Sequence, residues 1–378
     1  MKHDLNIARN SAGFTLVEAL IGLGLASAIL LGVNQLFVAN SNTYNLLVGQ
    51  SAMQESGRFA LGVISRSVQA SGYKGCFSTN ADVHKTFLAD IPYEFNLDAP
   101  IIGYEGEASG WSPNIETRLP RTVGTTDTNV YKSASIGAGT GIDTTTILRS
   151  TDIITLNYLP QKRHRLAVAM PTNTADIQTA STQFDFSAEH IAYLHDCEKQ
   201  TFFRVTGITG DLLKHGTSSD PDGYTNVNSI ARFGSFNDQA YVSAITSETY
   251  YIAPSTSANN DGRYPMSLWR KAGLGKPTEL VDGIEDLQIK YGIDTDNDRV
   301  PNRYVNADAV IDFDDVRALR ITVVATSINN VDATTSPTHG CTTAIPTPGL
   351  QYCKPGTETD GMLRRSFSQT VALRNGRS

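Results

Sequence analysis

Residues 13–38 have the sequence GFTLVEALIGLGLASAILLGVNQLFV, which contains a single charged side chain, Glu18. As a helix rising about 1.5 Å per residue, residues 14–38 are long enough to cross the roughly 30 Å hydrocarbon core of a bilayer. The preceding residues 1–13 are polar and mildly basic. Positive charge is enriched on the cytoplasmic side of membrane spans. The sequence therefore predicts that residues 1–13 stay in the cytoplasm and that the remainder of the chain is exported.

The apolar run is predicted to continue into a longer helix. A secretory signal peptide would end in a small-residue cleavage site, but none follows residue 38 and the first proline is Pro92. Beyond residue 40, apolar residues recur at helical spacing: Leu46, Leu47, Met53, Phe59, Ala60, Val63, Ile64 and Val68. We predict one helix ending near Gly72 and Gly75. Its first half would lie in a membrane or filament core, and its second half would pack on the following domain.

Glu18 is the unusual residue of the apolar run, because a carboxylate inside a bilayer costs roughly 3 kcal/mol and usually has a partner and a function. If the chain is cut between Gly13 and Phe14, the new α-amino group lies one helical turn from Glu18, where opposite charges attract. The carboxylate would also complement the positive end of the helix dipole. In a filament, the terminus of a neighbouring subunit could be the partner instead. The alternative is a generic signal anchor with an incidental glutamate.

Residues 13–18 (GFTLVE), with the basic leader before them and the apolar span after them, resemble the class III signal of type IV prepilins and type II secretion pseudopilins. The resemblance implies that a prepilin peptidase cleaves after Gly13 and methylates the amino group of Phe14. It also implies a role for Glu18 in filament assembly.

After residue 76 the helical periodicity fades and strand-like segments follow: residues 153–158, 201–208, 249–252, 267–270, 287–293, 319–323 and 363–373. Polar stretches over residues 105–146, 216–237 and 332–361 are predicted to be long loops or insertions. The predicted fold is α+β, with a long N-terminal helix packed on a largely antiparallel β-sheet head. Its segments are a leader (1–13), a transmembrane or filament-core helix (14–39), an amphipathic extension (40–72) and a periplasmic β-rich head (73–378).

Several later segments resemble the PilW minor pilins, and their order strengthens the resemblance. They are residues 71–76 (SGYKGC), 195–205 (HDCEKQTFFRV), 281–298 (VDGIEDLQIKYGIDTDND), 316–324 (VRALRITVV) and 370–375 (TVALRN). The resemblance implies a minor pilin that primes assembly of a type IV pilus and lies at or near its tip. Its implied partners are other minor pilins, the major pilin, a PilY-type tip adhesin, the prepilin peptidase and the inner-membrane assembly platform. The implied location is the inner membrane first and the pilus at the cell surface afterwards.

Two other functions stay open at this stage. A J-like minor pseudopilin of a type II secretion system would carry the same N-terminal signal, although such heads are usually shorter. A tip adhesin or DNA-uptake binding module would explain the polar insertions. The net charge of -7 disfavours nucleic acid as a partner, because phosphate contacts need clustered Lys and Arg.

The sequence carries no signature of catalysis. The patterns of nucleophile elbows, P-loops, dinucleotide-binding turns and HExxH zinc sites are all missing. The densest group of titratable residues, His190 and His195 with Glu189 and Asp196, is interpreted as structural. We therefore predict that the protein is not an enzyme and needs no cofactor.

The four cysteines, Cys76, Cys197, Cys341 and Cys353, form no metal-binding pattern. An even count in an exported chain predicts disulfides, and three pairings exist. Cys341 with Cys353 would form a local bridge and leave Cys76 with Cys197. Four free buried thiols are the alternative.

Residues 294–298 (DTDND) resemble the start of a calcium loop, since Asp294, Asp296 and Asp298 alternate on a predicted turn and carboxylate oxygens are ligands for Ca²⁺. However, Arg299 stands where an EF-hand loop needs glycine, and Val305 stands where it needs glutamate. Asn302 and Asp308 could complete a non-standard site. The favoured interpretation is an acidic hairpin turn between two strands.

Overall fold

The computed structural model describes residues 15–75, 84–86, 97, 99–107, 110–112, 147–160, 162–196, 198–217, 226, 235–260, 262, 264–273, 276–331 and 362–374. Gly13, Phe14 and the four cysteines lie outside these residues, so peptidase cleavage and the disulfides stay predictions. Most residues of the three predicted polar insertions also lie outside the described residues. The described part of the first insertion, residues 105–107 and 110–112, is not a loop: it is the end of one strand and a short second strand that pairs with it.

The predicted long helix is confirmed as α1, Leu16–Ala70. Thr15 caps its N-terminus, and the N–H of Ser71 bonds to the carbonyl of Ser67 at its end. Gly72 follows with a φ of 74°, a left-handed conformation that suits glycine. Burial of large apolar side chains begins only at Met53. Leu46, Leu47 and Phe59 of the predicted apolar stripe are exposed and do not pack on the described part of the head.

Eighteen strands accompany the helix in the described part of the chain. They are β1 His84–Thr86, β2 Ile101–Glu107, β3 Gly110–Ser112, β4 Ile153–Tyr158, β5 His164–Arg165, β6 Ile177–Gln178, β7 Ile191–His195, β8 Gln200–Arg204, β9 Gly207–Thr209, β10 Leu212–Lys214, β11 Tyr241–Ala244, β12 Thr246–Pro254, β13 Met266–Ala272, β14 Thr278–Asp282, β15 Ile284–Ile293, β16 Arg303–Val305, β17 Val316–Thr326 and β18 Arg364–Ala372.

Two antiparallel sheets enclose the main core with the second half of α1. One has the strand order β16-β15-β17-β18 and the other β14-β13-β12-β4-β2-β3. The core contains Ile64 of the helix, Tyr250 of the larger sheet and Leu319 of the smaller one. Gly283 makes the corner between β14 and β15 with a φ of 74°. A Cβ at this position would lie 2.7 Å from the carbonyl oxygen of Thr326, so the corner requires glycine.

A second group of strands comes from the middle of the chain. It comprises a five-stranded sheet, β1-β8-β7-β11-β5, and a three-stranded sheet, β6-β10-β9. Its separate core includes Leu194, Phe203 and Val242. The β1–β8 pair is parallel, and every other pair among the described strands is antiparallel. The predicted α+β fold with a largely antiparallel head is thus confirmed.

Candidate assembly site

Glu18 lies in the first turn of α1 and forms a capping box with Thr15. Its Oε2 accepts hydrogen bonds from the backbone N–H of Thr15 (3.1 Å) and from the Thr15 hydroxyl (3.0 Å). The Thr15 Oγ1 in turn accepts the N–H of Glu18 at 3.3 Å. Two of the unpaired N–H groups at the helix start are therefore satisfied. The carboxylate is exposed and fixed at the positive end of the helix dipole.

The first half of α1 presents apolar side chains on all sides. Every large apolar side chain from Leu16 to Val48 is exposed, from 38% for Leu46 to 77% for Leu16. This segment is long and apolar enough to cross a membrane, by length and composition. A helix that is apolar all round needs lipid or protein around it. This half is therefore compatible with membrane anchoring.

The second half of α1 lies along β18. A Cβ on Gly57 would approach Cδ2 of Phe367 to 2.5 Å, so the glycine lets the helix backbone approach that ring closely. About two turns beyond, the Ser65 hydroxyl donates to Gln369 Oε1 at 3.1 Å. Since residue numbers rise together in both elements, β18 runs in the same direction as the helix. Its C-terminal end points away from the apolar half.

A buried polar cluster ties the last turn of α1 to the larger sheet. The Ser67 hydroxyl donates to Glu248 Oε2 at 2.5 Å and lies 2.9 Å from the Tyr250 hydroxyl. The Tyr158 and Tyr250 hydroxyls each donate to the same oxygen at 3.1 Å, and Arg270 pairs with Oε1 at 3.0 Å. Burial, together with the Glu248 charge, raises the pKa of both tyrosines, so they stay protonated donors.

No sequence pattern indicated this cluster. Its members come from the helix and from three strands, β4, β12 and β13, that are far apart in the chain. The available signal was Glu248, a charged residue next to the aromatic and apolar residues of β12. A buried carboxylate needs several hydrogen-bond donors around it.

The acidic turn lies between β15 and β16, at the end of the head away from the apolar half of α1. Its three carboxylates offer oxygens within 4.8 Å of one another. Asp294 is buried and already accepts the N–H of Arg299 at 2.9 Å and pairs with Arg317 Nε at 3.3 Å. Burial alone would raise the pKa of Asp294. Hydrogen bonds from the backbone N–H groups of Arg299, Asn297 and Asp296, together with the Arg317 guanidinium, lower it.

The other candidate ligands of the turn differ in exposure, in hydrogen bonding and in position. Asp296 and Asp298 are exposed, whereas the Asn302 side-chain oxygen accepts the N–H of Thr295 at 2.7 Å. Asp308 lies on a separate 3-10 turn, Ala307–Ala309. This arrangement favours the acidic hairpin turn of the sequence analysis, and a calcium site stays a prediction.

Three histidines of the described residues make contacts that are typical of a structural role. His195 is buried and stacks on Tyr193 with ring centroids 4.7 Å apart, and burial lowers its pKa to about 4, so the ring is neutral near pH 7. His164 bonds through Nε2 to Asp185 at 2.8 Å. His190 lies 3.2 Å from the Ser187 hydroxyl through Nδ1. These contacts support the interpretation of the histidines as structural.

Residues 249–375 match a family model described as PilW, Type IV Pilus-assembly protein W. The match runs from β12 to the end of β18 and contains three of the five PilW-like segments, residues 281–298, 316–324 and 370–375. Residues 71–76 and 195–205 lie outside it. No curated protein matches the chain. The predicted resemblance to the PilW family is confirmed over the matched residues, and it supports a protein related to type IV pilus assembly.

Proposed function

We propose that this chain, with a PilW-like C-terminal third, is a minor pilin of a type IV pilus that primes pilus assembly and lies at or near the pilus tip. The observation that carries the proposal is the division of α1. Its first half is apolar and exposed, and its second half is built into a head of which residues 249–375 match the PilW model.

The physical step in assembly is an exchange of surroundings for the first half of α1. In the inner membrane, lipid covers the side chains from Leu16 to Val38 while the head is periplasmic. In the filament, equivalent helices of the major pilin and of other minor pilins cover the same side chains. Apolar contacts with lipid and with helices are similar in kind, so leaving the bilayer costs little when helices replace the lipid.

In this exchange, Glu18 favours docking of the subunit where its carboxylate meets a positively charged chain terminus. A prepilin peptidase cuts after Gly13 and methylates Phe14, which creates a positive terminus close to Glu18. A carboxylate in an apolar surrounding must be paired, and the terminus of the same or of a neighbouring subunit supplies the charge. The capping box in the structure supports this role, because it fixes the carboxylate at the helix start.

The experiment compares Glu18→Ala with Glu55→Ala, an exposed acid in the second half of the same helix. Both variants are expected to be cleaved and to reach the membrane. Glu18→Ala should be depleted at least about tenfold from sheared pili, whereas Glu55→Ala should be recovered like the parent. Recovery of Glu18→Ala at the parent level would contradict the assembly role of Glu18.

Deletion of the gene separates the pilus from the type II secretion alternative. A minor pilin that primes assembly predicts a loss of surface pili with protein secretion unchanged. A secretion defect with intact pili would instead assign the chain to a secretion pseudopilus. The PilY-type adhesin is the proposed partner at the tip, and a second expected result is that the adhesin no longer reaches the cell surface in the deletion strain.

A further inference from the structure

Strand β18 is the edge of the helix-bearing sheet. Within the described part of the chain it pairs with β17 alone. The register is unbroken from Ala318 opposite Ala372 to Thr326 opposite Arg364, so the edge is regular over nine residues. It contains neither proline nor a bulge, which are two of the devices that block strand pairing at an edge.

The backbone groups on the open side of β18 can be identified from the register. The N–H of Leu373 donates to the carbonyl of Arg317 at 2.8 Å, and the N–H of Ser327 donates to the carbonyl of Leu363 at 2.9 Å. Odd-numbered residues of β18 therefore direct their backbone groups toward β17. In an antiparallel pair the alternate residues point the other way. The residues facing the open side are Arg364, Ser366, Ser368, Thr370 and Ala372.

Among the described residues, the two faces of β18 differ in what covers them. The helix covers the face that carries Phe367 and Gln369. On the other face, Ser366 and Ser368 are exposed, and the Ser368 hydroxyl lies 3.0 Å from that of Thr322 on β17. Because strand side chains point above and below the sheet, they do not occupy the place of an additional strand in its plane.

The charge around the edge is opposite to that of the whole protein. Residues 363–374 contain three arginines and no acidic residue, in a chain with a net charge of -7. Arg364 is paired with Glu285, whereas Arg365 lies over the Phe367 ring and Arg374 is exposed. Arg320, on the neighbouring strand, adds a further positive charge over Tyr304.

We propose that the open edge of β18 binds an extended acidic segment of a partner protein by β-strand addition. The partner strand forms main-chain hydrogen bonds with the even-numbered residues, and its acidic side chains meet the exposed Arg365 and Arg374. This mode of recognition derives affinity from the backbone and specificity from alternate side chains. The proposal stands on the sheet and its charge and does not require the pilus function.

The test uses the full chain in lipid nanodiscs and two fluorescent peptides, TEVETEVET and its lysine counterpart TKVKTKVKT. The acidic peptide should bind at least about tenfold more tightly. Ser368→Pro removes one N–H from the open side and keeps the β17 ladder, a position where edge strands tolerate proline. It should weaken binding about tenfold, whereas Ser368→Ala should stay within about threefold of the parent.

Amide hydrogen exchange on the unmutated chain gives a second measurement that does not depend on a variant folding. The acidic peptide should slow exchange at Ser366, Ser368 and Thr370, and should leave Phe367 and Gln369, which already bond to β17, unchanged. Equal binding of both peptides, or no slowing at the even-numbered amides, would overturn the proposal and leave the arginines as protection of the edge against pairing.

Discussion

The two halves of α1 belong to one uninterrupted helix and have opposite surroundings. Ile29 in the first half is 66% exposed, and Ile64 in the second half is fully buried. The first half carries its one acid, Glu18, at its N-terminal end, whereas the second half ends in the buried cluster around Glu248. Continuity of the backbone therefore does not imply a common environment. The second half belongs to the head, and the first half takes its stability from whatever covers it.

The largest expected effect comes from the isoleucine pair. Ile64→Ala leaves a cavity in the main core and should lower the free energy of unfolding of the head by about 2–5 kcal/mol. Ile29→Ala removes the same atoms from an exposed position and should leave it unchanged. Urea unfolding of both full-length variants in detergent, followed by tryptophan fluorescence, measures the difference. Equal losses would contradict the division of the helix.

A glycine pair within the second half tests how closely the helix lies on β18. Gly57→Ala would force a Cβ against the Phe367 ring and should destabilise the head by about 1–3 kcal/mol. Gly62→Ala meets no atom within 4 Å and should stabilise the helix by up to about 1 kcal/mol. The same unfolding experiment applies. Stabilisation by both substitutions would mean that the helix does not approach β18 at Gly57.

A serine pair tests the polar cluster. Ser67→Ala removes one donor from the buried Glu248 carboxylate, which keeps its tyrosines and Arg270, and should cost about 1 kcal/mol. Ser27→Ala removes a hydroxyl that bonds only to the exposed carbonyl of Leu23, and the stability of the head should not change. Thermal unfolding of the two variants distinguishes them. A Ser67→Ala variant as stable as the parent would mean that the cluster does not stabilise the attachment of the helix to the sheet.

The smallest and most local effect is expected at the helix start. Thr15→Ala removes both hydroxyl contacts of the capping box and should increase amide exchange within the first turn, residues 16–19. The melting temperature of the head should not move, because the first half makes no contribution to its core. A shift of that temperature would show that the two halves are energetically coupled and would contradict the division of the helix.

The sequence was sufficient to predict the helix and most strands of the main sheets. An apolar run followed by helical spacing without proline defines α1, and strict alternation defines β15. The start of burial at Met53 was not predictable. The apolar pattern at Leu46 and Leu47 is the same whether those side chains meet their own head or another molecule.

The polar contacts of the site were less predictable than its helix. Ser67, Tyr158 and Glu248 are distant in the sequence, and only tertiary folding brings their side chains together. Glu18 was predictable as a candidate functional residue, because a lone acid in an apolar span conflicts with local expectation. Its capping bond to Thr15 follows from the same short stretch, since an acid at N3 is typical of a capping box.

The most direct test of the transfer of the first half from membrane to filament is the intact mass and N-terminal sequence of this protein recovered from sheared pili. The account predicts a chain that begins at N-methylated Phe14 and is present in the filament fraction. A chain that retains residues 1–13, or one found in membranes and never in sheared pili, would contradict it.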